Sequence, residues 1–372
     1  MIRTLDIENF RCFDKFHMEN LARVNLLVGD NNVGKTALLE AMRLYVSQGS
    51  PHILQYISID RDEIIRHSSN IEGWLLNVNF LFGDSNKALC ISSDDKKLTL
   101  NIIEKPLEEM IIGDVKDIKS AFANIALKIE FPNQGKPSHI PLSYYDVGAN
   151  DFNCGIPLNL IRAIRAQTEH IITFYVPAKS LTIEQVASLF QNLQLTDDED
   201  NVLKAVRLVD PNIQKIQVVT NVMDSGSTIS SNLFPSIRKP DIRAKMLGSE
   251  KIFSLGSMGA GVWRMLSIAV SILHSKNGYL FIDEIDSGLH CTVLEKMWKM
   301  VIETAKRLNV QVFATTHSYD CIEALAYYCM RKENKVTDDD VALHRIDRED
   351  GKSVYYNVER IKMAVENRIE VR

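Results

Sequence analysis

Residues 24–46 read VNLLVGDNNVGKTALLEAMRLYV. Val24, Asn25, Leu26, Leu27 and Val28 form a nearly continuous apolar run, the pattern of a parallel strand buried on both faces. From Thr36 to Val46, Leu38, Leu39, Met42 and Tyr45 recur at helical spacing among good helix formers. Between strand and helix lies GDNNVGKT, Gly29 to Thr36, a full match to GxxxxGK[ST]. Gly29 and Gly34 let the backbone wrap closely, so that the N–H groups of Asn31, Asn32, Val33, Gly34, Lys35, Thr36 and Ala37 face a phosphate at a positive helix end. Lys35 then reaches the β and γ phosphates of a nucleotide, and the Thr36 hydroxyl ligates magnesium.

Two further apolar strands end in polar chemistry. YLFIDEIDSGLH, Tyr279 to His290, delivers Asp283 and Glu284 to the carboxyl end of a strand, where open α/β sheets hold their ligands. Alone, such an acidic pair is ordinarily a solvated strand end. Beside the glycine loop, Asp283 reads as a magnesium ligand and Glu284 as the general base for an attacking water, with Asp286 less defined. VFATTHS, Val312 to Ser318, ends in Thr316 and His317. His317 follows the Asp283 strand by one helix and is placed to donate to a γ phosphate.

The composition is that of a globular protein of two lobes, or of one domain with a large insertion. The chain has 372 residues, with 43 Lys plus Arg against 48 Asp plus Glu, a net charge of -5, and 45% hydrophobic residues. Disorder and a wholly basic coat are excluded, so any nucleic acid must meet a local patch. Six scattered cysteines show neither zinc nor disulfide spacing. The N-terminus lacks the pattern of a signal peptide and no run has the length of a membrane span, so a cytoplasmic protein with no membrane partner is expected.

Along the rest of the chain, residues 74–145 read as strands of a mainly antiparallel sheet. Helices are expected over 158–166 and 182–193, and one capped by Thr196 or Asp197 and stopped by Pro211. The Ser/Asn/Gly/Pro-rich stretch 221–241 reads as a loop or lobe boundary. Helices over 261–274, 290–308 and 318–331 alternate with strands YLFID, VQVFATT and VALHRID, and SVYYNV and a helical tail follow. The expectation is an α/β fold whose parallel sheet takes its first strands from the N-terminus. Arg238, Lys239, Arg243 and Lys245, with Arg162 and Arg165, read as a solvated face rather than a nucleic-acid path. Asp338, Asp339 and Asp340 read as a cap or loop.

Taken together, IENFRCFDKF, GDNNVGKT, YLFIDEIDSGLH and NVQVFATTHSYDCIEAL resemble the ATP-binding-cassette type of P-loop ATPase. Within that type the chain resembles AAA family ATPases related to the OLD (overcoming lysogenization defect) nucleases and, more distantly, SMC and double-strand-break-repair ATPases. The resemblance implies a P-loop ABC-type core with a mixed sheet and an inserted, largely helical lobe. The core is expected over 1–150 and 241–372 and the lobe over 151–240. It implies ATP and magnesium as ligands, with Lys35, Glu284 and His317 catalytic. SLGSMGAGVWRMLSIA, 254–269, is then the signature motif, with Ser257 and Gly259 completing the site of an opposite subunit. Ala260 departs from the acidic or amide residue common there. Arg11 and Phe13 fall near the adenine end. The resemblance further implies an ATP-dependent homodimer or higher oligomer. Too few residues follow His317 for a TOPRIM domain, which makes a separate effector protein, a nuclease or toxin, the expected partner, in prokaryotic defence against phage. A nucleic-acid clamp of the repair type and an ATP-binding scaffold with negligible turnover are the other readings.

Overall fold

The computed structural model describes residues 1–66, 74–104, 125–132, 138–146, 152–157, 171–222 and 238–371. The helix expected over 158–166 and the cations Arg162 and Arg165 lie outside them. The chain is mixed α/β and divides into two compact units, 1–21 with 29–171 and 344–355, and 22–28 with 172–343 and 356–372. This division cuts across the three consecutive segments expected from the sequence.

In the second unit, the strands Thr173–Val176, Tyr279–Ile282, Gln311–Thr315 and Val24–Val28 are parallel neighbours in that order. Every residue of Gln311–Thr315 and of Val24–Val28 is buried, as interior parallel strands require. Asn25 survives there because its side chain accepts from Ala22 N at 2.8 Å and donates to Ala22 O at 2.8 Å, which removes the cost of a buried amide. The helices Ala260–His274, Cys291–Leu308 and Tyr319–Met330 supply much of the apolar core. On Cys291–Leu308 the buried Leu294, Met297, Trp298, Val301, Ile302 and Ala305 repeat every three or four residues, one stripe of an α-helix. Asn309, left-handed at φ 54, ends it.

The same unit holds Ile183–Gln191, opened by a Thr182–Gln185 capping box, and Asp197–Arg207, capped by Thr196. The stretch 151–240 also holds the strands Thr173–Val176 and Ile213–Val222 and the first three residues of Arg238–Met246. Ile213–Val222 pairs antiparallel with Arg238–Met246, which pairs with Ile252–Ser254. Of the stretch 221–241, residues 221–222 and 238–241 belong to these paired strands, and the remainder lies outside the described residues.

In the first unit, Leu5–Phe10 and Phe13–Met18 form a hairpin, and an antiparallel series runs on through Leu89–Ser93, Lys96–Glu104, Ile125–Glu130 and Ser138–Pro141. The helix Lys35–Val46 belongs here, followed by Pro51–Asp60 with its proline in the first turn.

Candidate functional site

The glycine loop stands in the first unit, and two of its glycines are required by space. Gly34 has φ +102, and a Cβ there would lie 2.6 Å from Phe13 Cζ and 2.9 Å from Cys12 Sγ. Gly29 has φ +146, and a Cβ would come within 3.1 Å of Val33 Cγ2 and 3.3 Å of the Ile346 carbonyl oxygen. Asn31 and Asn32 are exposed, and Val33, Gly34, Lys35 and Thr36 are partly so. Lys35 Nζ donates to Gly29 O at 2.7 Å and Asp30 O at 2.8 Å, folding the ammonium back over the loop. No side chain caps the helix Lys35–Val46 and no acid stands in its first turn. A helix start of this kind, with its positive dipole end, suits an anion.

Arg11 and Phe13, expected at the adenine end, have partners within the first unit. The Arg11 guanidinium lies 2.5 Å from Glu40 Oε2 and donates to both oxygens of Glu63, at 2.6 and 3.0 Å. Arg61 Nε donates to the other Glu40 oxygen at 2.7 Å. Burial pushes the Glu40 carboxyl up, and the cations of Arg11 and Arg61 pull it back. Phe13 is buried and tilts against Phe16 with ring centroids 4.8 Å apart. The sequence offered no sign of this cluster, because Glu40 and Glu63 reach Arg11 only through the fold.

In the second unit, three parallel strands end side by side, and the chain leaves them at Val28, Asp283 and Thr316. One hydroxyl orders the acidic pair: Thr315 Oγ1 donates to Asp283 Oδ1 at 2.6 Å and accepts from Glu284 N at 2.8 Å. Thr316 Oγ1 donates to Asp286 Oδ1 at 2.7 Å, so Asp286 anchors the turn. Glu284 is left-handed at φ 50, a rare conformation for a side chain of that size. Its carboxylate stays 40% exposed, 3.3 Å from His317 Nδ1. The structure therefore brings Asp283, Glu284 and His317 together within this unit.

Ser257 and Gly259 lie on the same unit at the start of Ala260–His274. Ser257 Oγ donates to Ser254 O at 2.7 Å, and Gly259 has φ +94 with nothing within 4 Å of where a Cβ would stand. Five residues into that helix stands Arg264, completely buried and bonded to the backbone of the Glu284 turn. Thr315 and Arg264 are the residues that sequence reasoning missed. A lone arginine in the apolar run VWRMLSIA was the available signal. Two of the aspartates 338–340 are ties: Asp338 accepts from Val358 N, and Asp340 accepts from Thr337 and pairs with Lys306 at 2.8 Å. Among the described residues no group of three or more His, Cys, Asp or Glu could hold a metal, and no helix is long and apolar enough to cross a membrane.

The chain is 24% identical over 359 residues to an ATP/GTP phosphatase of Helicobacter pylori, covering 90% of each chain. It is 39% identical over 75 residues to an uncharacterized protein of Methanocaldococcus jannaschii, covering 20% of this chain and 66% of that one. Among solved structures, the SMC head bound to the C-winged helix domain of ScpA aligns with 96% of this chain and 99% of its own, at 13% identity and a TM-score of 0.47. The family model described as "AAA ATPase domain" matches residues 1–151 and 159–322, a span that contains the glycine loop, the acidic pair and His317, and the chain belongs to that family.

Proposed function

We propose that the chain binds ATP with magnesium and hydrolyses it. The observation that carries this reading is the state of Glu284: its backbone is pinned by Thr315 and Arg264 while its carboxylate remains open beside His317. A fixed base with solvent access is what activation of a water demands. The uncapped helix behind the glycine loop supports phosphate binding, and the name of the Helicobacter pylori relative, an ATP/GTP phosphatase, accords with hydrolysis.

In this reading Lys35 exchanges the loop carbonyls for the β and γ phosphates, and the loop N–H groups hold their oxygens. Glu284 takes a proton from the attacking water, and His317 donates to the γ phosphate. A magnesium ion shared with a triphosphate would need only one or two protein oxygens, and the Thr36 hydroxyl of the first unit and the Asp283 carboxylate of the second are each oxygen donors of the kind it takes. Bound there, magnesium supplies charge neutralisation at the β and γ phosphates. Ser257 and Gly259 serve a second copy of the chain in an ATP-dependent dimer or higher assembly. Hydrolysis then times the docking or release of a separate effector protein, a nuclease or toxin, in prokaryotic defence against phage.

Phosphate release measured with ATP and magnesium tests the chemistry. Lys35→Ala abolishes nucleotide binding. Glu284→Gln binds ATP but turns over about 100-fold or more slowly, the scale of lost general-base catalysis; turnover equal to that of the unaltered chain removes the role given to Glu284.

One observation favours a second reading, an ATP-driven nucleic-acid clamp. Lys215 and Lys245 stand directly opposite each other across two antiparallel strands, a like-charge pair that a polyanion would relieve. Glu199 and Asp200 line the same cavity of about 510 Å³ as these lysines, which keeps this reading second. It predicts ATP-dependent DNA affinity that falls steeply with salt.

A further inference from the structure

Arg264 is fully buried on the helix Ala260–His274, where an arginine is costly unless its donors are met. Every nitrogen of its guanidinium donates. Nη1 reaches Pro177 O at 2.6 Å and Ser180 Oγ at 3.4 Å, Nη2 reaches Asp283 O at 2.6 Å and Glu284 O at 2.8 Å, and Nε reaches Ile285 O at 3.4 Å. The carbonyls of 283–285 are those that a strand breaking into a left-handed residue cannot bond in a ladder. A planar fork of diverging N–H groups can collect three successive carbonyls in this way, and a lysine ammonium cannot.

The helix and the turn also touch directly. A Cβ on Gly261 would stand 2.8 Å from Gly288 O, and one on Gly288 would stand 3.0 Å from Ala260 Cβ. Gly261 and Arg264, within the first two turns of the helix that Gly259 precedes, therefore both fasten to the segment that carries Glu284. The positive charge of Arg264 also lies under Asp283, Asp286 and Glu284. Burial lowers its pKa to about 10 against the pull of these carboxylates, so the group is charged at neutral pH.

We infer that Arg264 is a positioning residue, which holds the Glu284 carboxylate in its hydrolytic geometry and makes the start of the helix Ala260–His274 and the 283–288 turn move as one body. The inference rests on the proposed role of Glu284 and adds to it the part that aims the base.

The test compares Arg264→Gln and Arg264→Lys with Glu284→Gln in steady-state ATP hydrolysis and in equilibrium binding of ATP. Misaiming a fixed group by about 1 Å costs about 100-fold in turnover. Arg264→Gln should therefore lower kcat about 100-fold and Arg264→Lys about tenfold, each leaving the ATP Kd within about threefold of that of the unaltered chain. A residue that only stabilised the fold would lower the melting temperature without this split. Unaltered kcat in both Arg264 variants, beside a Glu284→Gln variant that is impaired, overturns the positioning role and leaves the proposed function standing. Unaltered turnover in Glu284→Gln overturns the proposed function, and the positioning role falls with it.

Should both Arg264 variants fail to fold, native-state hydrogen exchange of the unaltered chain in dilute urea decides the matter. The amides of 285–289 and of 263–266 should open as one unit, with protection factors equal within about threefold. Exchange of 285–289 about tenfold or more faster, through a separate opening, overturns the link.

Discussion

His344 is a histidine that the fold keeps neutral. It is fully buried in the first unit, its Nε2 meets no hydrogen-bond partner among the described residues, and Ser353 Oγ lies 3.4 Å from Nδ1. Burial alone drives its pKa from 6.5 down to about 3. Between those values the unfolded chain binds a proton that the folded chain refuses, so stability rises with pH across that window. The contribution is complete above pH about 6.5 and is lost progressively as pH falls toward 3. Moving from pH 7 to pH 5 should cost about 2 kcal/mol through this residue. Urea unfolding at the two pH values should show that loss in the unaltered chain and a loss smaller by about that amount in His344→Leu. Equal losses in the two chains would assign the pH dependence to other groups. Gly34 makes the opposite kind of demand, on space. Its φ of +102 and the 2.6 Å approach to Phe13 Cζ mean that Gly34→Ala must shift the loop. ATP affinity should fall at least tenfold, or about 1.4 kcal/mol, while Gly248→Ala, at φ +71 but with nothing within 4 Å, pays backbone strain alone and leaves affinity unchanged.

Elements built on a single strong pattern were legible before the structure. The buried strand Val24–Val28, the helix Lys35–Val46 and the alternation from Ala260 to Met330 follow from apolar runs and a helical period, and the structure places them within a residue or so of the reading. Elements with one exposed face were not. Arg238–Met246 reads RKPDIRAKM, where Ile242 and Ala244 are buried and Met246 packs against the core; three apolar residues among four cations and a proline look like a loop until their partner strand is known. Ile213–Val222 was missed for the same reason, since its neighbour lies across an uninformative stretch of sequence. The site divides likewise. Lys35 was legible from the glycine motif at the head of a plainly patterned helix, and Asp283, Glu284 and His317 because each closely follows a strand whose pattern is plain. Arg264 and the cluster of Arg11, Glu40 and Glu63 were not, because their meaning lies in partners distant in sequence. Packing on Cys291–Leu308 gives the measurable counterpart. Trp298 is fully buried and donates from Nε1 to Cys321 O at 3.0 Å, so Trp298→Ala should cost about 3–5 kcal/mol, seen as a lower urea midpoint. A cost below about 1 kcal/mol would mean that the helix is not held by this contact.

At the scale of the whole molecule the question is how many copies act together. Ser257 and Gly259 present an exposed turn at the positive end of a helix of 15 residues, a place that stabilises negative charge. If that charge is the γ phosphate held by another copy, association must depend on nucleotide and must persist when hydrolysis is blocked. The net charge of -5 opposes close approach of two copies only mildly at physiological salt, because exposed charges more than about 8 Å apart are screened. Light scattering on Glu284→Gln should therefore give the mass of one chain, 42.2 kDa, without nucleotide, and an even multiple of it with ATP and magnesium. Chelating the magnesium should return the monomer, since the phosphates then lose the cation that neutralises them. Lys35→Ala should stay monomeric under every condition. Gly259→Ala has open space for its methyl group, but Gly259→Glu sets a carboxylate against the incoming phosphate. The latter should abolish the ATP-dependent mass increase while ATP binding to the single chain persists. A Gly259→Glu chain that still associates with ATP would place the interface on another face and release this turn from the role given to it.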